Sequence, residues 1–346
     1  MSKLRIKLRR GTIVGGGGPA VPASIASPVV GTDLTSVWNL QYSGTGPRTS
    51  PTNGTWSGSV DAYLSGLGFA LNGYGRLTWT IGSATKTVSD YDFGLIPVDV
   101  FGTGTANFND CRWSAGSDPD QHGAITVNTN AGGDGQYTTD TTLTVNANYC
   151  LFDGSNTYLF AGTFNINYCR FKNHKHNLGA TAFSATAAPH MSFDHCYITG
   201  GGVAPSPGTA SPGDGEHVEL IQSNPAVQGT FSVTNTIFNP IDGQATAAPW
   251  DSAWTGIWSV GKHSSVAFAN NIHIGIAEVN ANPINPDVIN CVLAYLLDTD
   301  NITLTNNVWQ AGRYGYTLNQ NGSNKPIDGG GNRTFANAAL TLADFG

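Results

Sequence analysis

The amino-acid sequence predicts an all-β protein in which short parallel strands stack as the coils of a right-handed, single-stranded parallel β-helix. Two observations predict this fold class. Only 11% of the 346 residues are charged, whereas a helical bundle needs many Glu, Lys and Arg residues on its solvent-exposed faces. The chain also repeats one short β-type motif seven times along its length.

The repeated motif alternates apolar and polar residues around one central position. It occurs without gaps as "ANFNDCRWSA", "VNANYCLFDG", "FNINYCRFKN", "MSFDHCYITG", "FSVTNTIFNP", "VAFANNIHIG" and "ITLTNNVWQA". The central position, which follows an Asn, Asp, Tyr or His, is occupied by Cys111, Cys150, Cys169, Cys196, Thr236, Asn271 and Asn307. We expect these seven residues to lie one above another in successive coils, and their unequal spacing to reflect loops of different length.

A second short β-type run precedes each motif after the first. These runs begin at Ala124, Thr157, Ala182, His217, Gly256 and Leu293. Alternating apolar residues bounded by Gly, Asn, Pro and Asp are typical of strands and turns. A unit of two or three such strands cannot bury its own apolar face, so consecutive units must stack.

This pattern resembles that of the pectate-lyase-like superfamily of right-handed parallel β-helix proteins, which includes phage tailspike and other virion-associated proteins. Their coils carry strings such as "ITLTNN", which begins here at Ile302. The resemblance covers roughly residues 91–319. It implies the fold and leaves the activity open, because the same scaffold serves polysaccharide lyases, glycoside hydrolases, isomerases, adhesins and tailspikes.

Four parts are predicted along the chain. Residues 1–34 form a basic arm and a Gly/Pro-rich linker, and residues 35–90 form a small β head or N-terminal cap. Residues 91–319 form the β-helix, and residues 320–346 form a C-terminal cap. Caps are expected because the open end of a β-helix presents unpaired strand edges.

The basic residues are concentrated in the arm. Five of the 16 Lys and Arg residues lie there, although the net charge of the chain is −7; they are Lys3, Arg5, Lys7, Arg9 and Arg10. The acidic balance argues against a nucleic-acid partner. No secretory signal follows the basic start, and no apolar run approaches the roughly 18 residues of a membrane span. We expect the five basic residues to anchor the chain to other proteins of a virion that assembles in the host cytoplasm.

The 5 cysteines do not predict a disulfide framework, because four of them occupy the same motif position. Parallel side chains in neighbouring coils lie about 4.8 Å apart. A disulfide needs Cβ atoms about 3.5–4.5 Å apart and converging. We therefore expect a buried column of free thiols, with Cys291 elsewhere in the core. No Cys or His spacing indicates a metal site, and no cofactor is expected.

The densest cluster of ionisable groups is in the string "GDGEHVELIQ", which follows a Pro/Gly-rich loop. Asp214, His217 and Glu219 from this string, with Asp251, are the candidate catalytic residues. Alternation predicts that His217 and Glu219 project from one outer face, where two carboxyl groups could act as general acid and base on a glycosidic bond. The string resembles the "DGIQ"-type strings of related β-helix proteins, with Glu219 and Leu220 in place of Asp-Gly. The alternative is that these residues are solvated surface charges.

Aromatic residues in the following coils are candidates for sugar binding. They are Trp250, Trp254, Trp258, Tyr295 and Tyr314. Such side chains could stack against pyranose rings. The alternative is that the tryptophans pack a loop onto the β-helix.

Three functions remain open at this stage. The first is a bacteriophage or prophage virion protein of tailspike or fibre type, whose β-helix binds host-surface polysaccharide and which forms a homo-oligomer such as a trimer. The second is a polysaccharide-degrading enzyme on the same scaffold. A glycoside hydrolase is favoured over a lyase, because few Lys or Arg residues could serve as the base of an elimination. The third is a surface adhesin or capsid decoration protein.

Overall fold

The structure is a computed structural model of the chain. It describes residues 44–114, 124–127, 142–153, 157–159, 161–172, 178–180, 188–199, 218–223, 229–239, 254–260, 263–273, 289–296, 302–309, 317–319, 327–334 and 338–345. The strands at 178–180, 218–223, 254–260, 289–296 and 317–319 are described by their backbone.

Short strands dominate the described chain, with one α-helix and one 3-10 helix. The N-terminal elements are β1 (Gly54–Thr55), α1 (Ala62–Leu67), β2 (Phe69–Leu71), β3 (Leu77–Ile81), β4 (Thr85–Ser89), β5 (Tyr91–Asp92), β6 (Val98–Gly102), β7 (Thr105–Asn109) and β8 (Arg112–Trp113). The middle elements are β9 (Ile125–Val127), β10 (Thr144–Asn148), β11 (Leu151–Asp153), β12 (Thr157–Leu159), β13 (Gly162–Asn167), β14 (Arg170–Lys172), β15 (Leu178–Ala180), β16 (Pro189–Asp194) and β17 (Tyr197–Thr199). The C-terminal elements are β18 (Val218–Ser223), β19 (Gly229–Thr234), β20 (Ile237–Asn239), β21 (Trp254–Val260), β22 (His263–Ala269), β23 (Ile272–His273), β24 (Ile289–Leu296), β25 (Ile302–Thr305), β26 (Val308–Trp309), β27 (Thr317–Asn319), β28 (Ile327–Asp328), β29 (Arg333–Thr334) and the 3-10 helix (Leu342–Phe345).

These strands form three long sheets. Sheet one has the order β2-β3-β6-β9-β12-β15-β18-β21-β24-β27, sheet two runs from β4 through β7, β10, β13, β16, β19, β22 and β25 to β28, and sheet three contains the rest. From β3 onwards the chain visits sheets one, two and three in turn, and we call each such set of three strands a coil. All described strand pairs are parallel except β2 with β3. The all-β prediction is confirmed, and the topology is compatible with a parallel β-helix.

Parallel pairing is found on both sides of the predicted limits 91 and 319. Strands β3 and β4 already pair in parallel with the next coil, and β26 pairs with β29. Helix α1 lies against the first coil, where Leu64 is buried and the carbonyl oxygen of Leu67 accepts a hydrogen bond from Trp79 Nε1 at 3.0 Å. The arm at residues 1–34 lies outside the described residues, and the division of the chain into arm, head, β-helix and cap stays a prediction.

Most strands lie where the sequence predicts them, with one shift in sheet one. The run predicted from Ala182 is preceded by strand β15, in which Leu178 pairs with Ile221 of the next coil. Residues 181–187 lie outside the described residues. Pairing with the neighbouring coils decides which residues form the strand, and the local sequence pattern does not contain that information.

In the eight coils from β3–β5 to β24–β26, the chain turns from sheet two to sheet three through the same bend. One residue at each bend has a φ between 51° and 58°; these are Asp90, Asp110, Tyr149, Tyr168, His195, Asn235, Asn270 and Asn306. This left-handed conformation is uncommon outside glycine and is best tolerated by Asn and Asp. Its recurrence, even at tyrosines, shows that stacking imposes the shape of the bend.

The residue after each bend forms a buried column. All seven predicted members, from Cys111 to Asn307, are fully buried. The carbonyl oxygen of each accepts a backbone hydrogen bond from the coil that follows, at 2.8–3.0 Å. Asn332 extends the column, because its Oδ1 accepts a hydrogen bond from the backbone N–H of Asn307 at 3.1 Å. The predicted stacking of these residues is confirmed.

The column changes its chemistry along its length without leaving buried polar atoms unpaired. Cys111, Cys150, Cys169 and Cys196 are free and buried, and burial raises the pKa of each thiol. Further along, Asn271 Oδ1 accepts the N–H of Thr236 at 2.9 Å and its Nδ2 donates to the carbonyl of Val233 at 2.8 Å. The free-thiol prediction is confirmed for these four cysteines.

Aromatic rings stack inside sheet three. Phe93, Trp113, Phe152 and Phe171 follow one another with ring centroids 4.6–5.2 Å apart and planes within 12°. In later coils His273 lies between Phe238 and Trp309, at 4.8 and 4.1 Å. His273 is fully buried, and neither ring nitrogen has a hydrogen-bond partner among the described residues. Burial lowers the pKa of His273 to about 3, so the ring is a neutral member of the stack.

The buried His273 makes stability depend on pH. In the unfolded chain this residue binds a proton below its ordinary pKa of 6.5, whereas the folded protein binds it only near pH 3. The free energy of unfolding should therefore fall as the pH drops from about 6.5 towards 3, by about 2–3 kcal/mol at pH 4.5.

The variant His273→Phe keeps a ring between Phe238 and Trp309 and removes this proton. Guanidinium unfolding of both proteins at pH 7.5 and pH 4.5 measures how much unfolding free energy each loses at the lower pH. This loss should be smaller in the variant by about 2–3 kcal/mol. Equal losses in the two proteins would contradict a neutral buried histidine.

Candidate functional site

Most of the residues predicted to be functional lie outside the described residues. They are Lys3, Arg5, Lys7, Arg9, Arg10, Asp214, His217, Trp250, Asp251 and Tyr314. Their predicted roles in anchoring, catalysis and glycan binding stay predictions.

Four predicted site residues lie on described strands of sheet one. Glu219 is on β18, Trp254 and Trp258 are on β21, and Tyr295 is on β24. The register pairs Glu219 with Thr255, which is one residue after Trp254 and three residues before Trp258. Neither tryptophan is therefore the direct strand partner of Glu219. The backbone thus places these residues on adjoining strands, and their roles also stay predictions.

The described residues form a different candidate site on the outer side of sheet two. Six consecutive strands each present three polar residues there, half-buried or exposed. We call this surface the polar face; it comprises Thr85, Thr87 and Ser89 on β4, Thr105, Asn107 and Asn109 on β7, Thr144, Asn146 and Asn148 on β10, Thr163, Asn165 and Asn167 on β13, His190, Ser192 and Asp194 on β16, and Thr230, Ser232 and Thr234 on β19. In-register pairing aligns them in three rows along the stacking direction.

The middle row is a ladder of side-chain amides. Asn146 Nδ2 donates to Asn107 Oδ1 at 2.8 Å, and Asn165 Nδ2 donates to Asn146 Oδ1 at 2.9 Å. Ser192 continues the row, because its hydroxyl donates to Asn165 Oδ1 at 2.8 Å. A side-chain amide carries two donors and two acceptor lone pairs. The ladder therefore orients each amide and leaves part of its hydrogen-bonding capacity for a ligand.

The two flanking rows differ in how much the protein already uses them. In one, Asn148 Nδ2 donates to Asn109 Oδ1 and Asn167 Nδ2 to Asn148 Oδ1, both at 3.0 Å. In the other, the hydroxyls of Thr105 and Thr144 have no partner among the described residues, and the same is true of Thr163. In the same row the hydroxyl of Thr230 lies 2.8 Å from His190 Nδ1 and is already paired. The hydroxyls of Thr105, Thr144 and Thr163 are the ones that this row offers to a ligand.

The polar face is nearly free of charge. It contains no Lys or Arg, and Asp194 is its single carboxylate. Burial alone would raise the pKa of Asp194, but hydrogen bonds from His195, Asn235 and Thr234 outweigh that effect and hold the pKa below its ordinary value. Asp194 Oδ2 lies 2.9 Å from His195 Nδ1, so this carboxylate is already engaged by the protein.

An outer stack closes one edge of the polar face at the bend. The ring centroids of Tyr149 and Tyr168 are 4.8 Å apart, and His195 lies 4.7 Å from Tyr168. The Arg48 guanidinium lies 3.9 Å from the centre of the Tyr149 ring and contacts Asp110 through two nitrogens at 2.9 and 2.6 Å. The positive charge beside this edge is therefore already paired.

The segment that carries Arg48 crosses several bends. The N–H of Gly46 donates to the carbonyl of Tyr168 at 2.8 Å, and the hydroxyl of Thr49 contacts Asp90. Residues 46–49 thus run along the outside of the bends, from the coil of Tyr168 back to that of Asp90. Sequence reasoning did not identify this contact, because its partners are far apart in the chain.

The described residues contain no group of three or more His, Cys, Asp or Glu that could hold a metal ion. Within the same ranges, no helix is both long and apolar enough to cross a membrane. Comparison with protein-family models, with curated proteins and with solved structures gives no match. The polar face is therefore the feature of the described residues that bears on function.

The amide ladder makes a testable contribution to stability. Replacing Asn165 with Leu removes its bonds to Asn146 and Ser192, and we expect the free energy of unfolding to fall by about 1–2 kcal/mol. Thr163→Val is the matched control on the same strand and face. It removes a hydroxyl that has no partner within the described part of the chain and should change stability by less than about 0.5 kcal/mol. Equal effects in denaturant unfolding would show that the ladder bonds do not stabilise the fold.

Proposed function

We propose that this protein binds polysaccharide and that its stacked sheets serve as a rigid support for the polar face. The observation that carries the proposal is the face itself: six in-register strands whose outward residues are almost all uncharged hydrogen-bonding groups. Sugars carry many hydroxyl groups, each able to donate and accept a hydrogen bond. A surface that offers both kinds of partner along its whole length suits such a ligand.

Preorganisation makes this surface suitable for a ligand held by weak bonds. A single neutral hydrogen bond contributes only about 0.5–1.5 kcal/mol. Ordering a flexible side chain on binding costs about as much. In the ladders, Asn146 and Asn165 are already oriented by their neighbours, so the cost of ordering them is met on folding. Many weak bonds can then add up along an extended ligand.

We further propose that the fold is a right-handed, single-stranded parallel β-helix of the pectate-lyase-like superfamily. The support is the constant order of the three sheets and the strong preference of parallel crossover connections for the right-handed form. In the same proposal, the chain is a tailspike- or fibre-type protein of a bacteriophage or prophage virion, and residues 1–13 attach it to other virion proteins. The support for that step is the cluster of five basic residues before a Gly-rich linker.

The second candidate function is enzymatic cleavage of the polysaccharide. It is favoured by one observation, the cluster of ionisable residues in "GDGEHVELIQ", from which Glu219 lies on β18. In this alternative Glu219 acts with Asp214 or Asp251 as the pair of carboxyl groups that hydrolysis requires.

Polysaccharide binding is tested by affinity electrophoresis of the purified full chain in gels containing surface polysaccharides of candidate hosts. We expect retardation by at least one polysaccharide, with no release of reducing ends. If the parent chain releases reducing ends and the Glu219→Gln variant does not, the protein is a hydrolase and the proposal of binding without cleavage is wrong. Migration unaffected by every polysaccharide would contradict both.

Virion attachment is tested separately by deleting residues 1–13. The deletion should abolish incorporation into particles, as measured by mass spectrometry of purified particles, and leave a soluble β-rich body. The full-length chain is the control. Particles that retain the shortened chain would contradict the role of the arm.

A further inference from the structure

We infer that the polar face binds a neutral polysaccharide whose chain runs along the stacking direction, with about one sugar per coil. This inference rests on the proposed polysaccharide binding and adds the chemical class and the orientation of the ligand. It follows from the charge of the face, the spacing of its rows and the strand on which two of the rows are interrupted.

The charge of the face selects a neutral ligand. Acidic sugars are normally held by Arg or Lys, whose charged hydrogen bonds are roughly twice as strong as neutral ones. The polar face has neither residue, and its one carboxylate, Asp194, would repel an anion. The Arg48 guanidinium, which lies beside the bend, is bound to Asp110. The net charge of −7 acts in the same direction.

The spacing of the rows selects the orientation. Along the stacking direction, equivalent groups recur at the strand separation of about 4.8 Å, which is close to the length of one sugar ring in an extended chain. Successive rings could therefore meet equivalent threonine hydroxyls and amides. Across the sheet, by contrast, the face is only three residues wide, about 13 Å, and its rows differ. The repeat of a sugar chain therefore matches the spacing of groups along the stacking direction and not the sequence of different groups across the sheet.

Two of the three rows are interrupted on β22. The residues aligned with Ser232 and Thr234 there are Ala267 and Ala269, which offer no side-chain hydrogen bond, whereas the third row continues from Thr230 to Ser265. The polar face thus spans the six strands from β4 to β19, or about 24 Å. This length accommodates about six sugars.

A sugar chain also suits this surface better than a second protein does. Protein interfaces obtain most of their binding energy from buried Trp, Tyr and Arg anchors. The polar face presents none of these. Its groups are small, polar and evenly spaced, so many equivalent weak contacts are available and no dominant one.

The chemical class is tested with an array of soluble polysaccharides. Neutral probes are mannan, xylan, galactan, dextran and mixed-linkage β-glucan, and acidic probes are polygalacturonate, alginate and hyaluronate. We expect binding to be confined to neutral polymers. With oligosaccharides of the bound polymer, affinity should rise with each added sugar and level off at about six. Binding confined to acidic polymers would overturn this inference and leave polysaccharide binding intact, whereas no binding to any probe would contradict both.

The orientation is tested with single variants two coils apart. Thr105→Val and Thr163→Val each remove one hydroxyl from the same row, and each should weaken binding about three- to tenfold. Thr55→Val, an exposed threonine on sheet three, is the control and should bind like the parent chain. Circular dichroism and the unfolding midpoint should be unchanged in all three. A ligand lying across the strands would lose affinity in only one of the two face variants, and unchanged affinity in both would remove the ligand from this face.

Occupation of the face by a second copy is the remaining outcome. The triple variant of Thr105, Thr144 and Thr163 to Val, analysed by light scattering after size exclusion, distinguishes it. We expect the mass in solution to be the same as for the parent chain. A smaller mass in the variant would show that the face joins copies of this chain and would overturn the inference.

Discussion

The three rows of the polar face depend on the bend between sheets two and three, where one left-handed residue precedes one buried residue in each coil. A left-handed non-glycine residue costs about 1–2 kcal/mol. Backbone hydrogen bonds from coil to coil and burial of the column from Cys111 to Asn307 offset this cost. At Tyr149 and Tyr168, the ring stack outside the bend is a further compensation. A shared bend keeps consecutive coils in register, and register is what aligns like residues.

The polar face is a consequence of that register. Asn107, Asn146 and Asn165 belong to three different coils, yet their amides meet at hydrogen-bond distance. A shift of one residue in any strand would turn these side chains towards the core and expose apolar neighbours. The same alignment that satisfies the core therefore produces a regular outer surface, and the proposed ligand is one whose own repeat matches it.

Sequence reasoning predicted the column and failed to single out the polar face. The column was visible because the residues three and five positions before it are apolar in all seven motifs, so local alternation was sufficient. Asn at every second position in "VNANYC" and "FNINYC" was a signal for the ladders, but its meaning depends on the alignment of coils separated by loops of unequal length. The contact of Arg48 with Asp110 joins residues 62 positions apart and has no local pattern at all. Long-range register is what the sequence alone does not reveal.

Anomalous diffraction from native sulfur in crystals of this protein tests the stacking of the coils, because it locates the sulfur atoms independently of any assumed fold. The Sγ peaks of Cys111, Cys150, Cys169 and Cys196 should lie in one line with neighbours about 4.8 Å apart. Scattered peaks, or a pair of these sulfurs about 2 Å apart as in a disulfide, would contradict the stacked column and the register that depends on it.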